Sequence, residues 1–375
     1  MELELTSDQE LLRDTTRKFL TATVPLTQVR ALADNPAGFE RGWWRKGAEL
    51  GWTSLLVDEQ RGGGSVSGEG LSDLALVAEE MGVMVSPGPL IATNVVAQTL
   101  SRDASDKLAE SVLPSLMAGE AVAAWCVAEP GQPVTPDGMT LQARRDGDGF
   151  ALSGVKGPVE AGAEADWLLV TARGPDGLSQ FLVPSSAPGL RITALRGLDL
   201  VRRHAEIRFD NVRVPASGVV GVAGDASLSF ERQLQTALVL QCAEIVGATN
   251  HVFDFTVQYA FDRSSFGRAL ASYQALKHRF ADMKLWIESA QAITVDATRA
   301  VQAGAPDAAE VARVAKAYVG ERCPELIQDC IQMHGGIGVT WDHDLHLYLR
   351  RVVSHRQIYG DPMQHRDQVA VLAGR

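Results

Sequence analysis

Apolar residues recur at helical spacing toward both ends of this chain and at short, near-alternating spacing in its middle. At the start, Thr6-Ser-Asp8 offers a cap to a helix carrying Leu11, Leu12, Thr15 and Phe19. Trp43, Trp44, Leu50 and Trp52 form a second apolar set, broken by Gly62-Gly63-Gly64. Residues 72–81 predict a strong helix ended by Gly82, and Pro87, Gly88 and Pro89 separate it from the run 91–100. Near residue 121 the texture changes. Segments 122–127, 139–144, 150–154, 167–172, 180–183 and 205–210 are brief and partly alternating, with Gly, Pro and Asp between them. That is a strand pattern. From about residue 226 long helical periods return and continue to about 335.

The order is helical, then β, then helical, and it predicts an α+β chain of three parts. These are an N-terminal helical domain over 1–120, a central β domain over 121–225 and a C-terminal helical bundle over 226–375. A length of 375 residues fits two or three domains. The formal net charge of -11 argues against nonspecific nucleic-acid binding, while local Arg clusters decide whether an anionic ligand is held. Cys126, Cys242, Cys323 and Cys330 form no CxxC pair or His-rich cluster, so no metal site is expected and buried thiols in a reducing compartment are. The first residues carry acids where a signal peptide carries a basic start, and no apolar run approaches the roughly 20 residues of a membrane span. A cytoplasmic location is expected.

One run stands out: Tyr259-Ala-Phe-Asp-Arg-Ser-Ser-Phe-Gly267, followed by Tyr273-Gln-Ala-Leu-Lys. It predicts a helix stopping at a Gly, an Arg four residues before that Gly, and a Gln opening the next helix. Arg beside helix-end donors suits a pyrophosphate, because guanidinium grips two oxygens at once. A second run, Gln332-Met-His-Gly-Gly-Ile-Gly338, leads into His343-Asp-Leu-His346 and Arg351. Glycines there would let backbone approach a phosphate closely. Simpler readings stand beside these: Arg263 as a helix C-terminal cation, and Gln332 with Gly335-Gly336 as a helix C-cap.

Together the two runs closely resemble signatures of the flavin-dependent acyl-CoA dehydrogenase family, and the resemblance covers nearly the whole chain. Trp52 to Gly64 resembles the family's N-terminal turn, with Asp58-Glu59 where a Pro-Glu pair usually stands. The segment 205–215 resembles the exit from the β domain. The resemblance implies a central β-barrel or sandwich, a C-terminal four-helix bundle and FAD bound across a subunit interface. It implies that Arg263, Ser265, Phe266 and Gln274 hold the diphosphate and adenosine side of a neighbour's FAD, with Gln332, Gly335 and Gly336 approaching the same region. It further implies an acyl-CoA substrate, electron-transfer flavoprotein as acceptor, and a homo- or hetero-oligomer built as a dimer of dimers.

On the flavin-ring side the family's residues are missing. Its Thr-Glu-Pro run reads Val127-Ala128-Glu129-Pro130 here, so the hydroxyl is absent and only backbone near Val127 and Ala128 is left to meet the ring. The Trp and the Thr or Ser that usually follow Gly-x-Lys are absent from Gly154-Val-Lys156-Gly-Pro-Val-Glu160.

The family's reaction needs a carboxylate to take an α proton and donors to stabilise the developing enolate. One usual carboxylate position aligns with Gly360, which keeps its N–H and has no base; the other aligns with Ala237. Asp361 is one residue along, either a weaker alternative base or an acid stabilising the turn before Pro362. Glu244 lies seven residues after Ala237 on nearly the same helix face, in apolar surroundings. It is either a relocated base, its pKa raised by burial, or a Glu paired with an Arg across a helix or subunit interface. Two functions follow. One is α,β-dehydrogenation of an acyl-CoA by this chain with Glu244 as base, on a fatty acid or sterol side chain. The other is a non-catalytic partner subunit that completes the FAD site of a heteromeric dehydrogenase.

Overall fold

The computed structural model describes residues 5–374. Six helices come first: α1 (Ser7–Thr23), α2 (Leu26–Ala31), α3 (Arg41–Glu49), α4 (Gly70–Val83), α5 (Leu90–Asp103) and α6 (Asp106–Met117). Eight strands follow: β1 (Ala123–Cys126), β2 (Gln142–Asp146), β3 (Gly149–Glu160), β4 (Trp167–Gly174), β5 (Gly177–Pro184), β6 (Leu190–Leu195), β7 (His204–Val214) and β8 (Val219–Val220). Then come α7 (Ser227–Asp262), the short pair β9 (Ser264–Ser265) and β10 (Arg268–Ala269), α8 (Gln274–Ala303), α9 (Ala308–His334), α10 (Leu345–Gln357) and α11 (Pro362–Leu372). The helical, β, helical order expected from periodicity is the order found. The final helical stretch continues past residue 335 through α10 and α11.

The residues fall into two compact units: residues up to Leu12 with Ala31–Leu74 and Pro87–Ala237, and Arg13–Arg30 with Ala75–Ser86 and the chain from Leu238 on. The first holds the sheet, in the order β6-β7-β3-β2-β4-β5-β8, with β1 parallel to β4. β3 is its long central strand, antiparallel to both β2 and β7. Trp44, Trp52, Trp125 and Phe181 are fully buried in this unit. The indole N–H of Trp125 donates to Gln233 Oε1 (2.9 Å), so a large apolar residue is buried without orphaning its donor.

The second unit is helical. Small residues set a close helix crossing in it: a Cβ on Gly82 would lie 2.0 Å from the Glu244 carbonyl oxygen, and one on Gly247 2.0 Å from that of Glu79. Gly82 therefore does not end its helix, as expected from sequence, since α4 runs on to Val83. Its missing side chain serves backbone contact, not termination.

Candidate active site

The diphosphate-type residues lie in the second unit. α7 ends at Asp262, five residues before Gly267, and a tight hairpin fills the gap. The Arg263 N–H donates to the Tyr259 carbonyl (2.8 Å), and the Arg263 carbonyl accepts from Leu270 N–H (2.8 Å). At the tip Phe266 and Gly267 take φ of 51° and 82°, and the Phe266 side chain is 98% exposed. Tyr273 OH donates to the Ser265 carbonyl (2.8 Å), and the Arg268 guanidinium lies 3.8 Å from the Tyr273 ring centre. Gln274 is the first residue of α8, where unpaired helix amides begin.

The second glycine run joins this hairpin through one aromatic contact. The Tyr259 ring stacks on His334, the last residue of α9, with centroids 4.2 Å apart. Gln332 is exposed one turn earlier. Gly335 has φ 63°, and a Cβ on Gly335 or Gly336 would meet nothing within 4 Å. The space over this turn is open, as close approach of a phosphate requires. The residues of this half fit a dinucleotide diphosphate.

Val127 and Ala128 lie in the first unit, just after β1. The Val127 carbonyl accepts from Lys156 Nζ (3.3 Å) and the Ala128 carbonyl from Gly157 N–H (2.8 Å). Lys156 Nζ also meets Glu129 Oε1 at 2.7 Å, both side chains being buried. Glu129 accepts in addition from the N–H groups of Thr140 (2.9 Å) and Leu141 (3.0 Å). Burial pushes the Glu129 carboxyl up, but the Lys156 charge and these donors outweigh it and hold the group below the usual carboxylate range. Further along β3, Glu160 is bound by Arg202 Nη1 at 2.6 Å, both nearly fully buried. So the carboxylates of Glu129 and Glu160 are both already engaged inside this unit, and no side-chain hydroxyl stands at Ala128 to meet a flavin ring.

The two base candidates, Glu244 and Asp361, and the donor Gly360 lie in the second unit and are held differently. Glu244 is 0% exposed. Its Oε1 accepts from Arg351 Nη1 at 2.5 Å and its Oε2 lies 3.1 Å from His355 Nε2. Arg351, also fully buried, donates further to the carbonyls of Ser86 (3.0 Å) and Val85 (3.3 Å). Asp361 caps α11: its carboxylate accepts from Gln364 N–H (2.9 Å), and Gln364 Oε1 accepts from Asp361 N–H (3.0 Å). Gly360 has φ 109° after Tyr359 at 65°. A Cβ on Gly360 would sit 2.8 Å from His365 Nε2.

Two residues that sequence reasoning passed over shape this turn. Lys316, fully buried, donates from Nζ to Gln241 Oε1 and to the carbonyls of His355 and Ile358 (the last at 3.1 Å). Burial pushes its pKa down to about 8. His365 is pushed down to about 3, chiefly by burial and then by the charges of Lys316 and Arg313. Both lie on otherwise ordinary helical periods, so only their polarity at buried positions signalled them. Among the described residues no group of three or more His, Cys, Asp or Glu is placed to hold a metal ion. No helix among them is long and apolar enough to cross a membrane.

One unit carries a β sheet; the other is helical and carries the Arg hairpin and Gly-Gly turn, and this helical, β, helical order is that of a flavin-dependent dehydrogenase class of fold. Family models confirm it: the acyl-CoA dehydrogenase N-terminal, middle and C-terminal domains match residues 6–120, 124–212 and 228–371. The chain belongs to the acyl-CoA dehydrogenase family, whose cofactor is FAD. It is 29% identical over 358 residues to acyl-CoA dehydrogenase IpdE2 of Mycobacterium tuberculosis (strain ATCC 25618 / H37Rv), covering 95% of this chain and 94% of that one. It is 26% identical over 354 residues to the mitochondrial long-chain specific acyl-CoA dehydrogenase of Sus scrofa, covering 90% and 80%. Among solved structures, a variant of the Tcur3481-Tcur3483 steroid ACAD superposes with TM-score 0.89 at 28% identity, over 98% of this chain and 97% of that one. Butyryl-CoA dehydrogenase of Megasphaera elsdenii shares the fold with TM-score 0.91 at 21% identity, over 100% of both chains.

Proposed function

We propose that this chain is a subunit of a FAD-dependent acyl-CoA dehydrogenase that grips the cofactor's diphosphate and leaves the proton-abstracting carboxylate to an unlike partner chain. The observation that carries this reading is the state of Glu244. A base must reach a substrate carbon with a free lone pair. Glu244 Oε1 is instead engaged by Arg351, and Oε2 lies 3.1 Å from His355 Nε2, with no exposure. Asp361 is engaged as a helix cap and Gly360 has no side chain to offer. Glu244 is then the paired carboxylate of the two readings made from sequence, an anchor between α7 and α10.

FAD, when bound, accepts the β hydride of the acyl thioester. This chain's part is positional. The Arg263 guanidinium and the amides opening α8 neutralise diphosphate charge, and Ser265 and Gln274 add polar contacts. The Gly360 N–H is a donor for a thioester carbonyl, needing no side chain to act. Electron-transfer flavoprotein remains the acceptor we propose. A polycyclic or steroid acyl group is the substrate class, supported by the steroid ACAD among the similar structures, which carries the paired designation Tcur3481-Tcur3483. That pairing also supports a heteromer, a dimer of dimers, over a homomer.

Purification of the chain alone tests this. The reading expects flavin well below one per chain and no acyl-CoA-dependent dye reduction. A fully flavinated homo-oligomer that reduces dye, and loses this with Glu244→Gln at unchanged stability, establishes the self-sufficient dehydrogenase instead.

A further inference from the structure

We propose that His334 is a positioning residue that locks the Arg263 hairpin and the Gly335-Gly336 turn to each other, so that two surface loops act as one grip. Its functional half rests on the diphosphate reading above. The ring belongs to the third residue of the run Gln332-Met-His. Phe255 and Tyr259, one turn apart on α7, both stack on it, with centroids 5.1 and 4.2 Å away and interplanar angles of 19° and 23°. His343 meets it edge-on at 4.9 Å.

The side chain is 97% buried by its 3% exposure, yet it makes only one hydrogen bond among the described residues. Nδ1 donates to the Cys330 carbonyl (2.9 Å), which fixes the proton on that nitrogen. Nε2 has no partner among the described residues. The ring is therefore held mostly by its faces.

Its position gives that stack a consequence. Tyr259 is the residue whose carbonyl receives Arg263 N–H, so one stacked ring borders the start of the hairpin. The other, His334, is followed directly by Gly335 at φ 63°. Tyr259 OH also reaches the His334 carbonyl, at 3.5 Å. Beyond the Tyr273 OH bond to the Ser265 carbonyl, the glycines of both turns face open space: a Cβ on Gly267, Gly335 or Gly336 would meet nothing within 4 Å. Loops so open need an external tie to hold one geometry toward a ligand.

Hydrogen exchange on the full chain reads this without cofactor. With His334→Ala, the amides of Arg263 and Leu270 and those of residues 336–340 should all exchange at least tenfold faster. With His334→Phe, which keeps the faces and loses the Cys330 bond, they should stay within about threefold of the parent. Tyr259→Leu removes the tie from the other helix and should reproduce the paired loss, which guards against one variant simply failing to fold. Acceleration confined to residues 336–340, equal damage by Phe and Ala, or no change overturns the proposal. FAD titration runs alongside: His334→Ala should weaken binding about tenfold, in step with Arg263→Ala. If Arg263→Ala leaves FAD affinity unchanged, the diphosphate reading fails, while the exchange data still decide His334.

Discussion

At the scale of single residues, chemistry at this site is decided by what already holds each polar group. Glu244 pairs with Arg351 and His355 in full burial. Removing one partner of such a pair typically costs about 3–5 kcal/mol, because the other charge is left uncompensated. Glu244→Gln should therefore lower the unfolding free energy by about 3 kcal/mol or more in a denaturant titration; an effect under 1 kcal/mol would point to a carboxylate free for other work. Gly360 is a second case. At φ 109° and with His365 Nε2 2.8 Å from any Cβ, Gly360→Ala should cost about 1–3 kcal/mol. Equal stability of that variant would mean the turn relaxes freely. From sequence the empty position at Gly360 was legible and the engagement of Glu244 was not. A lone Glu in an apolar helix reads alike whether it faces a substrate or an Arg more than a hundred residues away.

At the scale of elements, the links between helices carry the pH behaviour. His365, at the start of α11, is held neutral against Gly360 with its pKa pushed down to about 3. The unfolded chain takes up this proton as pH falls through the ordinary value of about 6.5, and the native chain does so only near 3. Its contribution to stability is full above 6.5 and is lost as pH falls to 3, on the order of 5 kcal/mol. Lys316 has the same sign over a higher range: with its pKa pushed down to about 8, the native state releases a proton that the unfolded state keeps to about 10.5, so stability gains from this group as pH rises between them. His365→Leu should flatten the acid limb of a stability-against-pH curve measured by denaturant titration; an unchanged limb would assign the loss to other groups. Helices and strands were largely legible, since long periods and short alternating runs differ in spacing. Gly82 was misread because a glycine that ends a helix and one that lets a second helix approach are the same letter. The hairpin of β9 and β10 was missed because it is only two residues on each side.

At the scale of the molecule, the family was legible from two short runs, and the family models match almost the whole chain. The loss of the family's ring-side residues around Ala128 and Pro158 was legible too; what the sequence could not convey is how the polar groups left there are engaged. The Arg263 hairpin and the Gly335-Gly336 turn are open and polar. In the first unit the Val127 and Ala128 carbonyls already accept from Lys156 and Gly157, and Glu160 is clamped by Arg202. Lys156→Met should release Glu129 as an unpaired buried carboxylate and destabilise the sheet unit by about 3 kcal/mol, read as a fall in thermal midpoint; no fall would mean the pair is dispensable. The central claim is that this chain belongs to a dehydrogenase without supplying its base. It is tested most directly by adding saturating acyl-CoA, steroid-derived and straight-chain, to the purified chain reconstituted with FAD under anaerobic conditions, and following the oxidised flavin absorbance. The account predicts no bleaching from this chain alone. Rapid bleaching that disappears in Glu244→Gln would contradict it.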